Sequence, residues 1–425
     1  MNKFWLLIYN IFILPSLYLL LRIAGIFSGK IRTGISGRKR LFEDLVLNNR
    51  GLDKTKKVIW IHSSSLGEFE QAKPIIEKLW QQKKFNIIVT FFSPSGYENS
   101  KNYPYANLIT YIPFDTKSNA ERFIKIVQPD LSVLMRYDIW PNFIAELKKF
   151  EIPCYIVDAT MRKNSSRAIP VIKSFHKGLF ADITRILTVS KSDAKAFKIF
   201  KVKDEQLRIV GDTRFDRVYQ KSLSAKEKKL INPKVFEGKK VFVAGSTWEQ
   251  DEDVILPAFL KLAKFDNEVL MIIVPHEPTV LHLEKLENEF AGKIPSIRFS
   301  HLNNYSDERV IIVDSIGILL TLYTYADVAF VGGSFKQNVH NVLEAAVYGV
   351  PVMFGPKINN SQEAKQLAER GGGLLIRGKR EAYRRLRTLF SDEQLRNTRG
   401  KIALEYIKEN IGATDKIIEE IENII

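Results

Sequence analysis

The sequence predicts an α/β protein of two Rossmann-like, doubly wound halves facing a cleft, preceded by an apolar helix. Three observations carry this reading. From Lys57 to Val210, short apolar runs alternate with amphipathic stretches, the rhythm of a mainly parallel sheet. Residues 219–239 then turn polar and lysine-rich, and a second series of the same kind begins at Val241. Ahead of both, residues 4–27 form one apolar segment, about the length that crosses a hydrocarbon core of ~30 Å. The expected division is an anchor over 1–29, a first half over 30–218, a linker over 219–239, a second half over 240–400 and a terminal helix over 401–425 that can return to the first half.

The apolar segment is interrupted by Asn10, Pro15 and Arg22, so it can span a bilayer or lie partly in one leaflet. No small-residue cleavage site follows it, which argues against a removed leader. Lys30, Arg32, Arg38, Lys39 and Arg40 come next. This basic run places the remainder on the cytoplasmic side and suits anionic headgroups.

In the first half, KVIWIH, NIIVTFF, LITYI, DLSVLM, PCYIVDA, RILTV and QLRIV read as strands. Gly67 to Trp80, KSNAERFIKIV, PNFIAELKKF and SDAKAFKIF read as helices between them. In the second half, VFVAGS, VLMIIVP, ERVIIVD, DVAFVGG, VPVMF and GGLLI read as strands, and residues 396–425 as a long helical pattern. The chemistry of this half centres on residues 327–356. Gly332 and Gly333 permit a tight turn after a buried strand. Asn341 sits at an N-cap position, with Glu344 at capping-box spacing, ahead of a helix VLEAAVY that stops at Gly349. Such a corner offers backbone N–H groups to an anion such as a phosphate. The same pattern also serves an ordinary βαβ unit whose glycines only pack.

The chain has 425 residues and a formal net charge of +16, which implies an anionic partner: nucleic acid, phospholipid or a phosphorylated substrate. No aromatic-basic RNA motif is present, so nucleic acid is not the expected partner. Cys154 stands alone and cannot form an internal disulfide. The phosphate-loop, dinucleotide, HExxH and CxxC patterns are all missing, and no resident cofactor is expected. His276 and His282 lack the carboxylates and spacing of a known metal site and read as polar residues near a helix start.

Glu68 follows His62 to Gly67 where the first strand passes into the first helix, the end of a parallel sheet at which ligands collect. It can serve as a base, or merely complement the helix dipole. A serine nucleophile would need a GxSxG elbow, which is absent.

SSSLGEFE, YDIWPN (137–142), GDTRFD (211–216), AGSTWEQDE (244–252), VPHEP (274–278) and FVGGSFKQNVHNVLEAA (330–346) occur in this order. The ordered set resembles the 3-deoxy-D-manno-octulosonic acid (Kdo) transferases of Gram-negative bacteria, over nearly the whole chain. The resemblance implies a GT-B fold and metal-independent, inverting transfer of Kdo from CMP-Kdo to a lipid A precursor at the cytoplasmic face of the inner membrane. It also implies roles. Glu68 matches the general base; were it not the base, Asp138 would be the next candidate in this chain. Arg214 stands for a lysine near the leaving phosphate. Pro275 and His276 match a nucleotide-contacting Pro-Arg pair, and Asn341, Val342, Leu343 and Glu344 match the Asn-Pro-Leu-Glu that holds CMP.

The chain departs from the family pattern in three further places. Arg136 replaces a carboxylate associated with the transition state. Ile316, Gly317 and Ile318 replace a Met-Gly-Glu of the nucleotide site. Trp248 replaces a histidine. Lys336 can join Arg214 and Asn341 at the phosphate, and Glu344 can bind ribose or only complete a capping box. Ser246 and Thr247 can touch the donor or cap a helix. Another GT-B enzyme with a different nucleotide sugar, or a non-catalytic protein binding anionic lipid or nucleic acid, are the competing readings.

Overall fold

The structure is a computed structural model and describes residues 3–161 and 165–425; residues 1 and 2 of the expected anchor lie outside the described residues. Two compact units emerge. One runs through Arg217 and also takes in Ile411–Ile425; the other is Val218–Asn410.

The first unit carries a seven-stranded sheet: β1 (Lys57–Ser63), β2 (Phe85–Phe91), β3 (Leu108–Tyr111), β4 (Leu131–Met135), β5 (Cys154–Ala159), β6 (Arg185–Thr188) and β7 (Leu207–Ile209). The order is β3-β2-β1-β4-β5-β6-β7 and every pairing is parallel. Both faces of the sheet are covered, which is why these strands are continuous apolar runs instead of alternating ones. Trp60, Phe123 and Phe143 pack on one face, and Ile59, Ile61, Phe69 and Phe91 on the other. The chain leaves β1 for β2 and β3, then returns to β4 on the other side of β1. Ligands of open α/β sheets bind at such a reversal.

The second unit repeats the plan with β8 (Lys240–Thr247), β9 (Val269–Pro275), β10 (Ser296–Arg298), β11 (Val310–Ile312), β12 (Val328–Val331), β13 (Val352–Phe354) and β14 (Gly373–Leu375). Its order is β10-β11-β9-β8-β12-β13-β14, again all parallel, with the reversal between β8 and β12. The GT-B fold class expected from the motifs is therefore the one observed: two parallel α/β sheets behind an apolar N-terminal helix.

Several local expectations change. The edge strand β10 was not anticipated, because Ser-Ile-Arg has no apolar run. The segment expected as a linker begins inside a helix, Thr213–Lys226. The terminal helical pattern breaks at Gly412, whose φ of 99° only glycine adopts without strain, into helices Glu393–Asn410 and Ala413–Glu422. Asp216 fixes that break by accepting the N–H groups of Gly412 and Thr414, both at 2.6 Å. Ile417, Ile418 and Ile421 of the last helix are then buried in the first unit beside Ile59 and Ile61.

Candidate functional site

Most of the candidate residues lie near the two chain reversals, one in each unit, whereas Arg214 follows β7 at the far edge of the first sheet. In the first unit, His62 is the last residue but one of β1 and is fully buried. Trp60 Nε1 donates to Thr90 Oγ1 at 2.8 Å, and His62 Nδ1 lies 2.8 Å from the same hydroxyl oxygen. On the other side of the ring, His62 Nε2 donates to Asp138 Oδ2 at 2.9 Å. Asp138 comes from the loop after β4, so strand order alone brings together two residues 76 positions apart.

Beside this pair, Glu68 lies in the first turn of the helix Leu66–Gln82, and its Oε2 accepts the Ser64 N–H at 2.7 Å. The two carboxylates sit in opposed environments. Burial raises the Glu68 pKa, against the Ser64 N–H, and the negative charge of Asp138 raises it further. Burial also disfavours the charge on Asp138, but the bond from His62, its charge interaction and the Ser64 hydroxyl outweigh it and hold the group below the usual aspartate range. One carboxylate is thus poised to take a proton and its neighbour is committed to being an anion, the division of labour seen in acid–base sites.

Arg136 follows β4 directly. Its φ is 61°, a conformation non-glycine residues rarely adopt, and its N–H donates to Val157 O at 2.7 Å. Among the described residues its buried Nε finds no hydrogen-bond partner. The side chain contributes positive charge that works against the upward shift of Glu68. Arg214 is placed differently. It opens the helix Thr213–Lys226, and its Nε and Nη2 engage both oxygens of buried Asp212, with Nε 3.0 Å from each. Next to it, Asp158 is fully buried among Thr213 and Asp212, and burial followed by the Asp212 charge pushes its pKa up to about 7. The Arg214 cation is thus already matched by a carboxylate of its own loop.

In the second unit the turn Gly332–Gly333 is as tight as the sequence requires. A Cβ on Gly332 would lie 2.2 Å from Ser246 O, and Gly333 has φ 93°. The N–H groups of the glycine turn itself have partners within the protein, Gly332 donating to Gly245 O at 2.9 Å. Asp251, fully buried in the helix Glu249–Ala263, accepts from Gly333 at 2.7 Å, Trp248 at 3.0 Å and Phe335 at 3.1 Å. This internal carboxylate takes up donors of the glycine turn, and these three bonds do not extend to the helix start at Asn341 to Glu344. The sequence does not reveal it because two of its three donors, the Gly333 and Phe335 N–H groups, come from a loop some eighty residues away; the local signal is an acidic residue in the first turn of a helix after a strand. The helix expected over 342–348 is also shorter, Leu343–Ala346. Asn341 bonds Leu343 N–H at 3.2 Å and the Glu344 carboxylate at 3.1 Å through its own side chain, so the reciprocal capping box does not form.

Of the donor-side candidates, Thr247, Pro275, Val342 and Leu343 are buried, and Thr247 Oγ1 is spent on Glu252 at 2.8 Å. Ser246 is half-buried, with φ 51° at a bulge where β8 shifts register against β9. Ile316 is exposed, Gly317 has φ 82°, and Ile318 is half-buried in the loop after β11. Asn341, Glu344, His276 and Lys336 keep at least part of their side chains at the surface.

A feature the sequence does not announce joins four residues near this turn. His276 stacks on His340, with centroids 4.3 Å apart and planes 13° from parallel, and lies 4.7 Å from the Trp248 ring. Trp248 Nε1 donates to His340 Nε2 at 3.1 Å, and Lys336 Nζ sits 3.1 Å above the indole. Burial and then neighbouring His276 lower the His340 pKa to about 4, so that ring is neutral and free to accept from Trp248. An open cavity of about 660 Å³ begins at Trp248 and Lys336 and is edged by Glu249, Glu277 and Glu284, a size suited to a small ligand. His282 is held by Glu252 at 2.9 Å and is a structural residue.

Residues 39–217 match the family model described as 3-deoxy-D-manno-octulosonic-acid transferase (kdotransferase). The chain is 29% identical over 373 residues to the 3-deoxy-D-manno-octulosonic acid transferase of Haemophilus influenzae, covering 85% of this chain and 86% of that one. It is 28% identical over 386 residues to a bifunctional glycosyltransferase/methyltransferase of Fusobacterium nucleatum, covering 87% of this chain but only 60% of that longer protein. Among solved structures, a putative UDP-N-acetylglucosamine 2-epimerase from Listeria monocytogenes superposes with a TM-score of 0.61 at 13% identity, covering 86% of this chain and 96% of that one, a likeness of fold alone. The resemblance to Kdo transferases read from the ordered motifs thus extends along most of the chain.

Proposed function

We propose that the chain is a glycosyltransferase that moves a single Kdo unit from CMP-Kdo to a lipid A precursor such as lipid IVA, with inversion. It works at the cytoplasmic face of the inner membrane and contributes to lipopolysaccharide biosynthesis. The observation that carries the chemistry is the contrast between Glu68 and Asp138. Transfer requires an acceptor hydroxyl oxygen to bond to the anomeric carbon of Kdo while the bond from that carbon to the CMP phosphate oxygen breaks. The hydroxyl proton passes to Glu68, and the bonding pair leaves with CMP. A carboxylate with a raised pKa suits the first event. Asp138 keeps its charge and, by repulsion, makes Glu68 a stronger base. A single base and direct displacement give inversion.

The leaving group is a phosphate monoester that gains negative charge, and cationic groups stabilise it most as that charge develops. Lys336, Arg214 and the loop at Asn341 to Glu344 are the residues assigned to that task, in a reaction that needs no metal. Lys336 has only an aromatic ring beneath its ammonium among the contacts above, whereas Arg214 would have to share its charge with Asp212. The exposed His276 and the indole of Trp248 offer a flat surface for a base or sugar. The apolar N-terminal helix and basic surface fit a lipid acceptor and anionic headgroups.

The deciding experiment incubates the full chain with CMP-Kdo and a tetraacylated lipid A precursor and follows the product by mass spectrometry. A product one Kdo heavier is expected, and a product with two Kdo units would correct the count. No transfer from CMP-Kdo, with transfer from a UDP-sugar, would replace this donor by another nucleotide sugar on the same fold.

A further inference from the structure

The helix Lys3–Phe27 is long and apolar enough to cross a membrane, and only 6% of its most apolar window is buried. Its contacts nevertheless run along much of its length. Near the start, Trp5 Nε1 donates to Ser174 Oγ at 3.2 Å and the Trp5 ring meets Phe175. One turn later the Tyr9 hydroxyl bonds Asp115, and Asn10 exchanges amide bonds with Asn142 at 3.0 and 2.9 Å. Asp115 also accepts the N–H groups of Asn142 and Phe143, so the corner Trp140–Pro141–Asn142 and the apolar helix share one buried polar knot. Further on, Tyr18 packs edge-on against Phe114, and Gly25 lies against Ile35 of the returning helix Gly29–Ser36.

The register of the helix serves this docking. Among its shielded positions, Trp5, Tyr9, Leu14, Leu17, Leu21 and Gly25 form one line at helical spacing except for one step of five between Tyr9 and Leu14, flanked by half-buried Leu6, Ile8, Asn10 and Ala24. That step coincides with a π-helical turn, Tyr9–Ile13, which inserts one residue and keeps the later positions on the same face. The opposite face exposes Leu7, Phe12, Leu19, Leu20, Ile23 and Phe27. Between the Trp5 and Tyr18 contacts the helix rests on the first unit for about 20 Å, and residues 19–27 beyond them extend only roughly 13 Å, against a hydrocarbon core of ~30 Å.

Resting on the membrane association proposed above, we infer that this helix lies in the plane of one leaflet, seated on the first unit, and does not cross the bilayer. Its partner is an anionic lipid surface. The apolar face enters the acyl region while exposed Lys30, Arg32, Lys39 and Arg40 meet the headgroups. A spanning arrangement would strip the Tyr9 and Asn10 bonds from buried Asp115 and Asn142, leaving polar groups without partners.

Cys154 is 1% exposed, so the natural chain is a silent background for thiol labelling. Lys3→Cys, Leu20→Cys and Lys39→Cys chains would be expressed, and sealed inside-out inner-membrane vesicles treated with a membrane-impermeant maleimide before and after detergent. The inference expects residues 3 and 39 to label equally before detergent and residue 20 only after it. Labelling of residue 3 only after detergent, with residue 39 labelled before, would establish a span and overturn it. Labelling of residue 20 before detergent would show that the exposed face is not in lipid and overturn it as well. If no variant sediments with the vesicles, membrane association itself fails, a result separate from either topology.

Discussion

Asp251→Ala tests how the glycine turn of the second unit is held. The carboxylate accepts three backbone N–H groups at 2.7, 3.0 and 3.1 Å and is fully buried. Truncation leaves those donors without an acceptor. Each unsatisfied buried donor is worth about 1–3 kcal/mol, and with water entering the small cavity the net loss should be about 3–5 kcal/mol. The assay is urea unfolding of the full chain in mild detergent, followed by tryptophan fluorescence, since Trp248 adjoins the turn. Inorganic phosphate should not restore the variant, because the turn belongs to the fold. A loss below about 1 kcal/mol would refute the clamp. Recovery of stability at millimolar phosphate would instead show that the turn is an anion site that Asp251 merely occupies.

Three other outcomes follow from the same geometry. Asp138→Asn removes the charge that raises Glu68, so the acid limb of kcat/KM should move to lower pH, and an unmoved limb would separate the two carboxylates. His340 has a folded pKa of about 4 against an ordinary 6.5, so the unfolded chain binds more protons between those values. Stability of the second unit should fall as pH drops through that window, and His340→Gln should flatten the fall in thermal scans. Asn341→Ala should raise the KM for the donor and Arg214→Ala should slow transfer, the phosphate contact being worth on the order of 2–4 kcal/mol. Since Arg214→Ala also strands buried Asp212, Arg214→Lys should recover stability and much of the rate.

The strands at both reversals were legible because a parallel strand covered on both faces is an unbroken apolar run, and Glu68 was legible because it follows such a run directly. What failed was of two kinds. Ser296–Arg298 and the split at Gly412 are decided by neighbours: an edge strand needs only one partner, and Asp216 caps a helix almost two hundred residues away. The partners of the site residues were hidden for the same reason. His62 and Asp138, or Asp251 and Gly333, have no mutual spacing in the sequence that marks them, and only the strand order makes them adjacent. Thr247, Val342 and Leu343 matched motifs but turned inward, since a motif fixes a position on the chain and packing decides which way its side chain points.

The central claim is that Glu68 takes the acceptor proton, and Glu68→Gln tests it most directly. The amide keeps the shape and can still accept the Ser64 N–H, but it cannot take a proton. Turnover at saturating CMP-Kdo and lipid acceptor should fall roughly 10²–10⁴-fold while CMP binding is unchanged. A variant that retains more than about a tenth of wild-type turnover would contradict the assignment and return Glu68 to a residue that only complements its helix.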